Sequence, residues 1–283
     1  MVSFRYFFVF SVLSMPLLGE PTRVRIPYKA LMGLNYHYGA ELCCPEIQHL
    51  VAEIQKELGM GDYKIEVRKF SEKGLKEGTP GLAFYKTHLF FVEEELLEMS
   101  RDEQRFLIGH ELMHMRGNHI RKENILENLI SYGGTILSLA AAILLYKEIT
   151  ARIYTFGDER AFEALKASSS VYLIGGCASV LLGTLSKRSL SRSYEAEADC
   201  YAAHELHCAL GGCLFFLKRI YKSRKFSTET GSFNTHPTDF KRFINLLLIS
   251  GDTTLYDLVN ETDNKTKEEY MDDILVYLKE HVN

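Results

Sequence analysis

The sequence predicts an α+β fold in which helices predominate and the β-sheet is small. Apolar residues recur at helical spacing over much of the chain, first in the segment 45–58, which Gly59 would end. Further helices are expected after Pro237 and over 266–281. Short segments of alternating polarity predict strands at 63–70, 82–85 and 89–92, with a Gly-rich loop at 71–81.

The composition allows a full hydrophobic core and excludes one class of partner. The chain has 283 residues, of which 46% are hydrophobic and 25% charged, enough for one or two domains. Its net charge of −4 gives no basic footprint, so no nucleic-acid partner is expected. The six cysteines are scattered without a CxxC pair, and they indicate no compact disulfide framework.

The most specific pattern is the segment Ile108–His119, which reads IGHELMHMRGNH. On a helix the i, i+4 spacing puts His110 and His114 on one face, where two neutral imidazole nitrogens can bind one metal ion. A carboxylate at Glu111 can then act as a general base toward water. Upstream, Ser100 and Glu103 predict a capping box that starts this helix. The pattern indicates a catalytic zinc site.

A catalytic zinc usually takes three protein ligands, so two histidines require a partner. One candidate is His119, but it lies one residue short of the metzincin spacing. The other is Glu195 on a later helix, with Asp199 one turn further on the same face, where it could orient a ligand histidine. Glu197 would point away from both.

Two uncharged runs, Asn128–Tyr146 and Ala167–Ser186, are each about 20 residues long, which is enough to span a bilayer. Each contains a stripe of small residues that would let two helices approach closely. The stripes are Gly134, Ser138 and Ala142 in the first run, and Gly175, Ser179 and Gly183 in the second. We therefore expect a hydrophobic helical hairpin at 128–186, in or against a membrane. A buried hairpin of a soluble protein is the alternative.

Residues 1–20 have one arginine, an apolar run from Tyr6 and a small residue, Gly19, near a plausible cleavage point. They predict a signal peptide or short membrane anchor, followed by one catalytic domain over 21–283. A cleaved leader favours an exported or periplasmic active site. Basic residues favour a cytoplasmic one instead, because more flank the catalytic ends of the hairpin than lie in its connecting loop. We expect a membrane-associated protein with an exported active site.

Four stretches resemble the membrane-linked zinc peptidases that include HtpX, the type 1 CAAX prenyl protease and BepA. They are GLAFYKTHLFFV before the metal motif, HELMHMRGNH itself, SRSYEAEAD with the family's Glu-x-x-Ala-Asp element, and THPTDFKR. They occur in the family's order, with the hydrophobic pair between the second and third. One departure is Ala196, where family members usually have an aromatic residue after the third ligand.

The resemblance implies a zincin-like (gluzincin) catalytic domain with the hydrophobic hairpin inserted between the metal-binding helices. It implies one Zn²⁺ per chain. The residues it assigns are His110, His114 and Glu195 as metal ligands, Glu111 as general base, Asp199 as a support for a ligand, and His236 and Arg242 near the substrate or the transition-state oxyanion.

The sequence therefore predicts a zinc metalloendopeptidase that hydrolyses unfolded or membrane-associated proteins, in protein quality control. Extended substrate is expected to lie along an exposed strand edge at 89–92. Two alternatives stay open. One is a catalytically idle zinc-containing membrane scaffold, for which a carboxylate at Glu111 would have no use. The other is a CAAX-type processing protease, which would need more spanning segments than the three candidates here.

Overall fold

The structure is a computed structural model that describes residues 41–70, 81–84, 87–156, 160–223, 237–260 and 267–282. The predicted leader at 1–20, residues 71–80 of the loop predicted at 71–81, and His236 lie outside the described residues, whereas Gly81 begins a strand.

Helices make up most of the described chain, and one small sheet accompanies them, which confirms the predicted α+β class. The strands are β1 (Glu66–Lys69), β2 (Gly81–Phe84) and β3 (His88–Phe91). The helices are α1 (Pro45–Glu57), α2 (Glu93–Leu97), α3 (Arg101–Gly117), α4 (His119–Phe156), α5 (Arg160–Glu205), α6 (Ala209–Ser223), α7 (Asp239–Ser250), α8 (Thr253–Asn260) and α9 (Lys267–His281).

The strand order is β1-β3-β2, with β3 parallel to β1 and antiparallel to β2. The prediction that the segment 89–92 forms an exposed edge is therefore wrong. Strand β3 lies in the centre of the sheet, where both of its sides are paired and all four of its residues are buried. The outer side of β1 is bonded to the segment 41–43, through Cys43 N to Val67 O and Lys69 N to Glu41 O. Within the described ranges, the open edge of the sheet belongs to β2.

Helix α3 begins as the capping box predicts. The amide of Glu103 donates to Ser100 Oγ at 3.3 Å, and the amide of Ser100 donates to Glu103 Oε2 at 3.0 Å. The helix lies in the middle of the protein, packed against α1, β2, α5 and α6. A Cβ at Gly109 would overlap Leu206, the residue that follows α5, and would lie 3.4 Å from Ala202 Cβ on α5, so glycine lets the two helices come close at the level of the metal motif.

Helices α4 and α5 pack along each other, and their small residues meet. A Cβ at Gly134 would overlap Ser179, and one at Gly175 would lie 3.0 Å from Ser138 Oγ. The outward-facing residues of α4 are large, apolar and exposed, among them Leu129, Ile136, Leu137, Ile143 and Leu144. In the part of the chain that the structure describes, one segment, His119–Ala151, has the length and hydropathy of a membrane span.

The C-terminal helices cover the other side of α3 and α5. Helix α7 begins two residues after Pro237, because the Thr238 hydroxyl caps it by accepting a hydrogen bond from the amide of Lys241 at 3.2 Å. On α9, Ile274 and Leu278 are fully buried. All six cysteines are free thiols.

Candidate metal centre

The two histidines of the HExxH motif lie on one face of α3, as their spacing predicts. His110 Nε2 and His114 Nε2 are 3.1 Å apart. Both rings are largely withdrawn from solvent, with 7% and 13% of their side chains exposed. Two imidazole nitrogens that share one point in a largely dry environment form half of a tetrahedral site.

Helix α5 brings Glu195 to the same point. Its Oε2 lies 3.5 Å from His110 Nε2, and its Oε1 lies 3.3 Å from His114 Nε2. The ligand atoms of His110, His114 and Glu195 all lie within 4.8 Å of one another, so this group could hold a metal ion. The histidines and the carboxylate are more than 80 positions apart in the sequence, and the close contact of α3 with α5 brings them together.

Asp199 contacts the other nitrogen of His110. Its Oδ1 lies 2.9 Å from His110 Nδ1, one helical turn along α5 from Glu195. A carboxylate at this distance holds the ring in the tautomer whose Nε2 is free to bind a metal.

Arg242, on α7, binds both carboxylates. Its Nε and Nη2 donate to Asp199 Oδ2 and Oδ1 at 2.7 and 2.6 Å, and its Nη1 lies 3.0 Å from Glu195 Oε2. The guanidinium also lies over the ring of Phe216, with Cζ 4.3 Å from the ring centroid. The side chain is 11% exposed. The sequence led us to expect Arg242 beside the substrate or oxyanion, whereas the three nitrogens face the carboxylates that surround the ligand histidine.

The charges of the cluster favour a cation at the convergence point. Burial disfavours the charged His110 ring, but hydrogen bonds and charge from Asp199 and Glu195 outweigh it and raise the pKa of His110 to about 10. Burial also opposes the charge of Asp199, yet the charge of Arg242 and the contact with His110 lower the pKa of this carboxyl. Glu195 and Asp199 together face one arginine, so these three groups carry one net negative charge, which a proton on His110 balances in the metal-free protein and a metal ion at Nε2 would balance in its place.

Glu111 points toward strand β2. Its Oε2 accepts a hydrogen bond from the amide of Ala83 at 2.7 Å, and the carboxylate is buried. A Cβ on Gly81 would lie 3.2 Å from Glu111 Cγ and Oε1 and 3.1 Å from Phe91 Cε1. Neither contact was predicted, because Gly81 reads as the end of a loop in the sequence. No local pattern signals them, since β2 ends at Phe84 and α3 begins only at Arg101.

His119 lies outside the convergent group, on the opposite side of His114. Its Nδ1 is 3.0 Å from His114 Nδ1, the nitrogen that faces away from Glu195. Glu197 lies on another face of α5, as expected, and its carboxylate is 44% exposed and 3.7 Å from His119 Nε2.

The sequence model of peptidase family M48 matches residues 45–249, which include every element that contributes to this site. The chain belongs to this family. Searches of curated proteins and of solved structures return no match. Membership of family M48 makes the protein a metallopeptidase by descent, and the group formed by His110, His114 and Glu195 is where this member could bind its metal.

Ala196, the position noted above as a departure from the resembling peptidases, lines a cavity beside the site. Ala196 is exposed between α5 and α7, in a cavity of about 410 Å³ whose charged lining residues are Arg192, Lys241 and Arg242. A small side chain at Ala196 leaves this space open in this M48 member.

Proposed function

We propose that the protein is a zinc-dependent metalloendopeptidase that cleaves unfolded or membrane-associated proteins. The observation that supports it best is the convergence of two imidazoles and one carboxylate within 4.8 Å, with Glu111 next to the first ligand on the same helix. Two nitrogens and one carboxylate oxygen are the donors of the His₂Glu zinc sites of hydrolytic enzymes. A site that served structure alone would have no use for an additional carboxylate at Glu111.

In this proposal His110, His114 and Glu195 hold one Zn²⁺, and Asp199 and Arg242 keep them in position. When bound, zinc supplies Lewis acidity that activates water and polarises the scissile carbonyl. Asp199 fixes His110 through Nδ1, and Arg242 holds Asp199 and Glu195 in one arrangement through its three contacts. The guanidinium thus acts on the carboxylates, and we assign it a positioning role.

Glu111 is the proposed general base. Its carboxylate accepts the proton of the attacking water and returns it to the leaving amine, a transfer worth about 10²–10⁴ in rate. The hydrogen bond from the amide of Ala83 holds one carboxylate oxygen, Oε2, and the other, Oε1, lies near Gly81. His236 is the proposed donor to the oxyanion, and the loss of one such donor typically costs about 3 kcal/mol.

The open edge of β2 is the proposed substrate-binding strand. The amide of Ala83 points away from β3 and toward Glu111, so a chain laid along this edge would pass beside the general base. Main-chain hydrogen bonds to an edge are tolerant of sequence but require an extended peptide. This requirement favours unfolded substrates over folded ones and supports a role in protein quality control.

We further propose that the paired helices α4 and α5 attach the protein to a membrane. Large apolar side chains of the candidate span on α4 are exposed from Ile125 to Tyr146, although large apolar patches are rare on soluble monomers. The small-residue contact between Gly134 and Ser179 is the kind that joins helices in lipid. We favour an active site on the exported side, with the cytoplasmic side as the alternative.

The catalytic proposal is tested by cleavage of unfolded casein. We expect cleavage by wild type, loss with a chelator and recovery on addition of Zn²⁺. In Glu111→Gln, which keeps the shape of the side chain, bound zinc should stay near wild type while activity falls at least about a hundredfold. Full activity in Glu111→Gln would overturn the assigned mechanism. Glu205→Gln, an exposed carboxylate at the end of α5, is the matched control and should behave as wild type.

Alkaline carbonate extraction tests the membrane proposal. Protein that lacks residues 1–20 should remain in the pellet, because the apolar surface of α4 and α5 alone would hold it there. Quantitative release into the soluble fraction would show that the two helices pack against protein instead.

A further inference from the structure

His119 sits against a ligand of the proposed zinc site without belonging to it. His114 Nε2 converges with His110 Nε2 and Glu195, so Nε2 is the nitrogen available to a metal. The remaining nitrogen, Nδ1, must then carry the ring proton, because a neutral imidazole has one donor and one acceptor. The atom that faces this proton, at 3.0 Å, is His119 Nδ1.

We propose that His119 is a positioning residue, which holds His114 in the tautomer and orientation that direct its Nε2 to the metal. The inference rests on the proposed zinc site. His119 Nδ1 accepts a hydrogen bond from the Nδ1–H of His114, and His119 carries its own proton on Nε2. The arrangement repeats for the second histidine what Asp199 does for the first, so each imidazole ligand is held from behind by a buried group.

The backbone just before His119 positions its ring. Asn118 takes the left-handed conformation, with φ of 56°, and so turns the chain sharply between α3 and α4 and brings His119 back toward the last turn of α3. Asparagine tolerates this conformation better than most residues other than glycine. A Cβ on Gly117 would overlap the His119 ring, so glycine is required there as well. Gly117 and Asn118 thus allow the ring of His119 to lie beside His114.

Helix α5 fixes the ring from its other side. The rings of His119 and Tyr194 are stacked, with centroids 4.1 Å apart and planes 5° apart, and His119 is 2% exposed. Tyr194 directly precedes Glu195, so the same stretch of α5 supplies a metal ligand and the support for His119. His119 Nε2 has no hydrogen-bond partner among the described residues, but Glu197 Oε2 lies 3.7 Å away. A carboxylate there favours the proton on Nε2, as the proposed tautomer requires.

Two substitutions separate the acceptor from the stack. His119→Phe keeps an aromatic ring against Tyr194 but removes the acceptor for His114 Nδ1. His119→Asn removes the ring but offers a carbonyl oxygen near the position of Nδ1. A positioning role predicts that His119→Phe binds zinc about 10- to 100-fold more weakly and that His119→Asn recovers part of this loss. If His119 served only to pack its ring against Tyr194, His119→Phe should bind zinc more tightly than His119→Asn.

The dissociation constant for Zn²⁺ is measured on the full chain by competition with a chelator. Thermal unfolding of the metal-free proteins is measured in parallel. His204→Phe, an exposed histidine on α5, is the control and should bind zinc as wild type does. If wild type binds no zinc, the proposed function fails and this inference with it. If wild type binds zinc and His119→Phe binds it equally tightly, His119 does not position His114, and the proposed function stands.

Discussion

Two stretches of α5, residues 174–182 (the outer part) and residues 191–199 (the inner part), lie in contrasting surroundings. Between Ile174 and Leu182 the helix has no charged residue, exposes large apolar side chains and meets α4 through small residues. Between Ser191 and Asp199 it carries two buried carboxylates, which face α3 and α7. Both parts belong to one continuous helix, so what holds each part in place depends on its side chains and their surroundings.

The comparison separates two sources of stability. The outer part depends on close packing, in which each contact is weak and a side chain that is too large is the most destabilising change. The inner part depends on charge compensation, because a buried carboxylate without a partner is expensive. The inner part should therefore respond strongly to the loss of one charge and the outer part to the gain of volume.

The largest effect is expected for Arg242→Met, which leaves Asp199 and Glu195 without their buried cation. Removing one partner of a buried ion pair typically costs about 3–5 kcal/mol, and we expect a loss of this size in the free energy of unfolding of the metal-free protein. Bound zinc should recover part of it. Lys241→Met, the exposed neighbour on α7, is the control, and equal stability in the two variants would contradict the account.

A smaller effect is expected for Gly134→Leu. The new side chain would overlap Ser179 and separate α4 from α5, at a cost of about 1–3 kcal/mol in the free energy of unfolding. Zinc affinity should not change, because the site lies at the inner end. Gly133 has no neighbour within 4 Å of its Cβ position, so Gly133→Leu is a matched control that should be tolerated. Denaturant unfolding and zinc titration of both variants would check this.

Gly81→Ala should affect rate alone. The added methyl group would push against Glu111 and Phe91 by a few tenths of an ångström, which displaces the general base and not the ligands. We expect casein cleavage to fall about tenfold, because catalysis is sensitive to small displacements of a reacting group. Bound zinc should equal that of wild type. A parallel loss of zinc would show that Gly81 supports the ligands as well.

The mildest test uses two cysteines on α5 itself. Cys177 lies on the outer part and Cys200 on the inner part, and both are exposed. In membranes, a water-soluble thiol reagent at pH 8 should label Cys200 and spare Cys177, and detergent should expose both. Burial raises the pKa of Cys43 and of Cys208 to about 12, so these thiols stay protonated and should react in neither case. Equal labelling of Cys177 and Cys200 in membranes would place the outer part in water.

Features set by residues close in the sequence were predictable. The i, i+4 spacings of His110 with His114 and of Glu195 with Asp199, and the capping box at Ser100, follow from helix geometry alone. The strand order did not follow. The pairing of β1 with β3 in parallel puts β3 in the centre, and no local pattern distinguishes a central buried strand from a short edge strand of the same composition.

Contacts between segments that are distant in the sequence could not be predicted either. Arg242 is 43 positions from Asp199, and only the packing of α7 on α5 shows that its charge balances the carboxylates. The roles of Gly81 and Gly117 depend on the rings and carboxylates that approach them from elsewhere. His119 was considered as a ligand, and its contact with the far nitrogen of His114 required the turn at Asn118.

The central claim is that His110, His114 and Glu195 form one zinc site, and the most direct test is the zinc content of the purified full chain. We expect one zinc per chain in wild type and in Glu197→Ala, and loss of most zinc in Glu195→Ala. Absence of zinc from wild type after incubation with the metal would contradict the claim. Loss of zinc from Glu197→Ala, with Glu195→Ala fully loaded, would show that α5 presents another face to the ligand histidines.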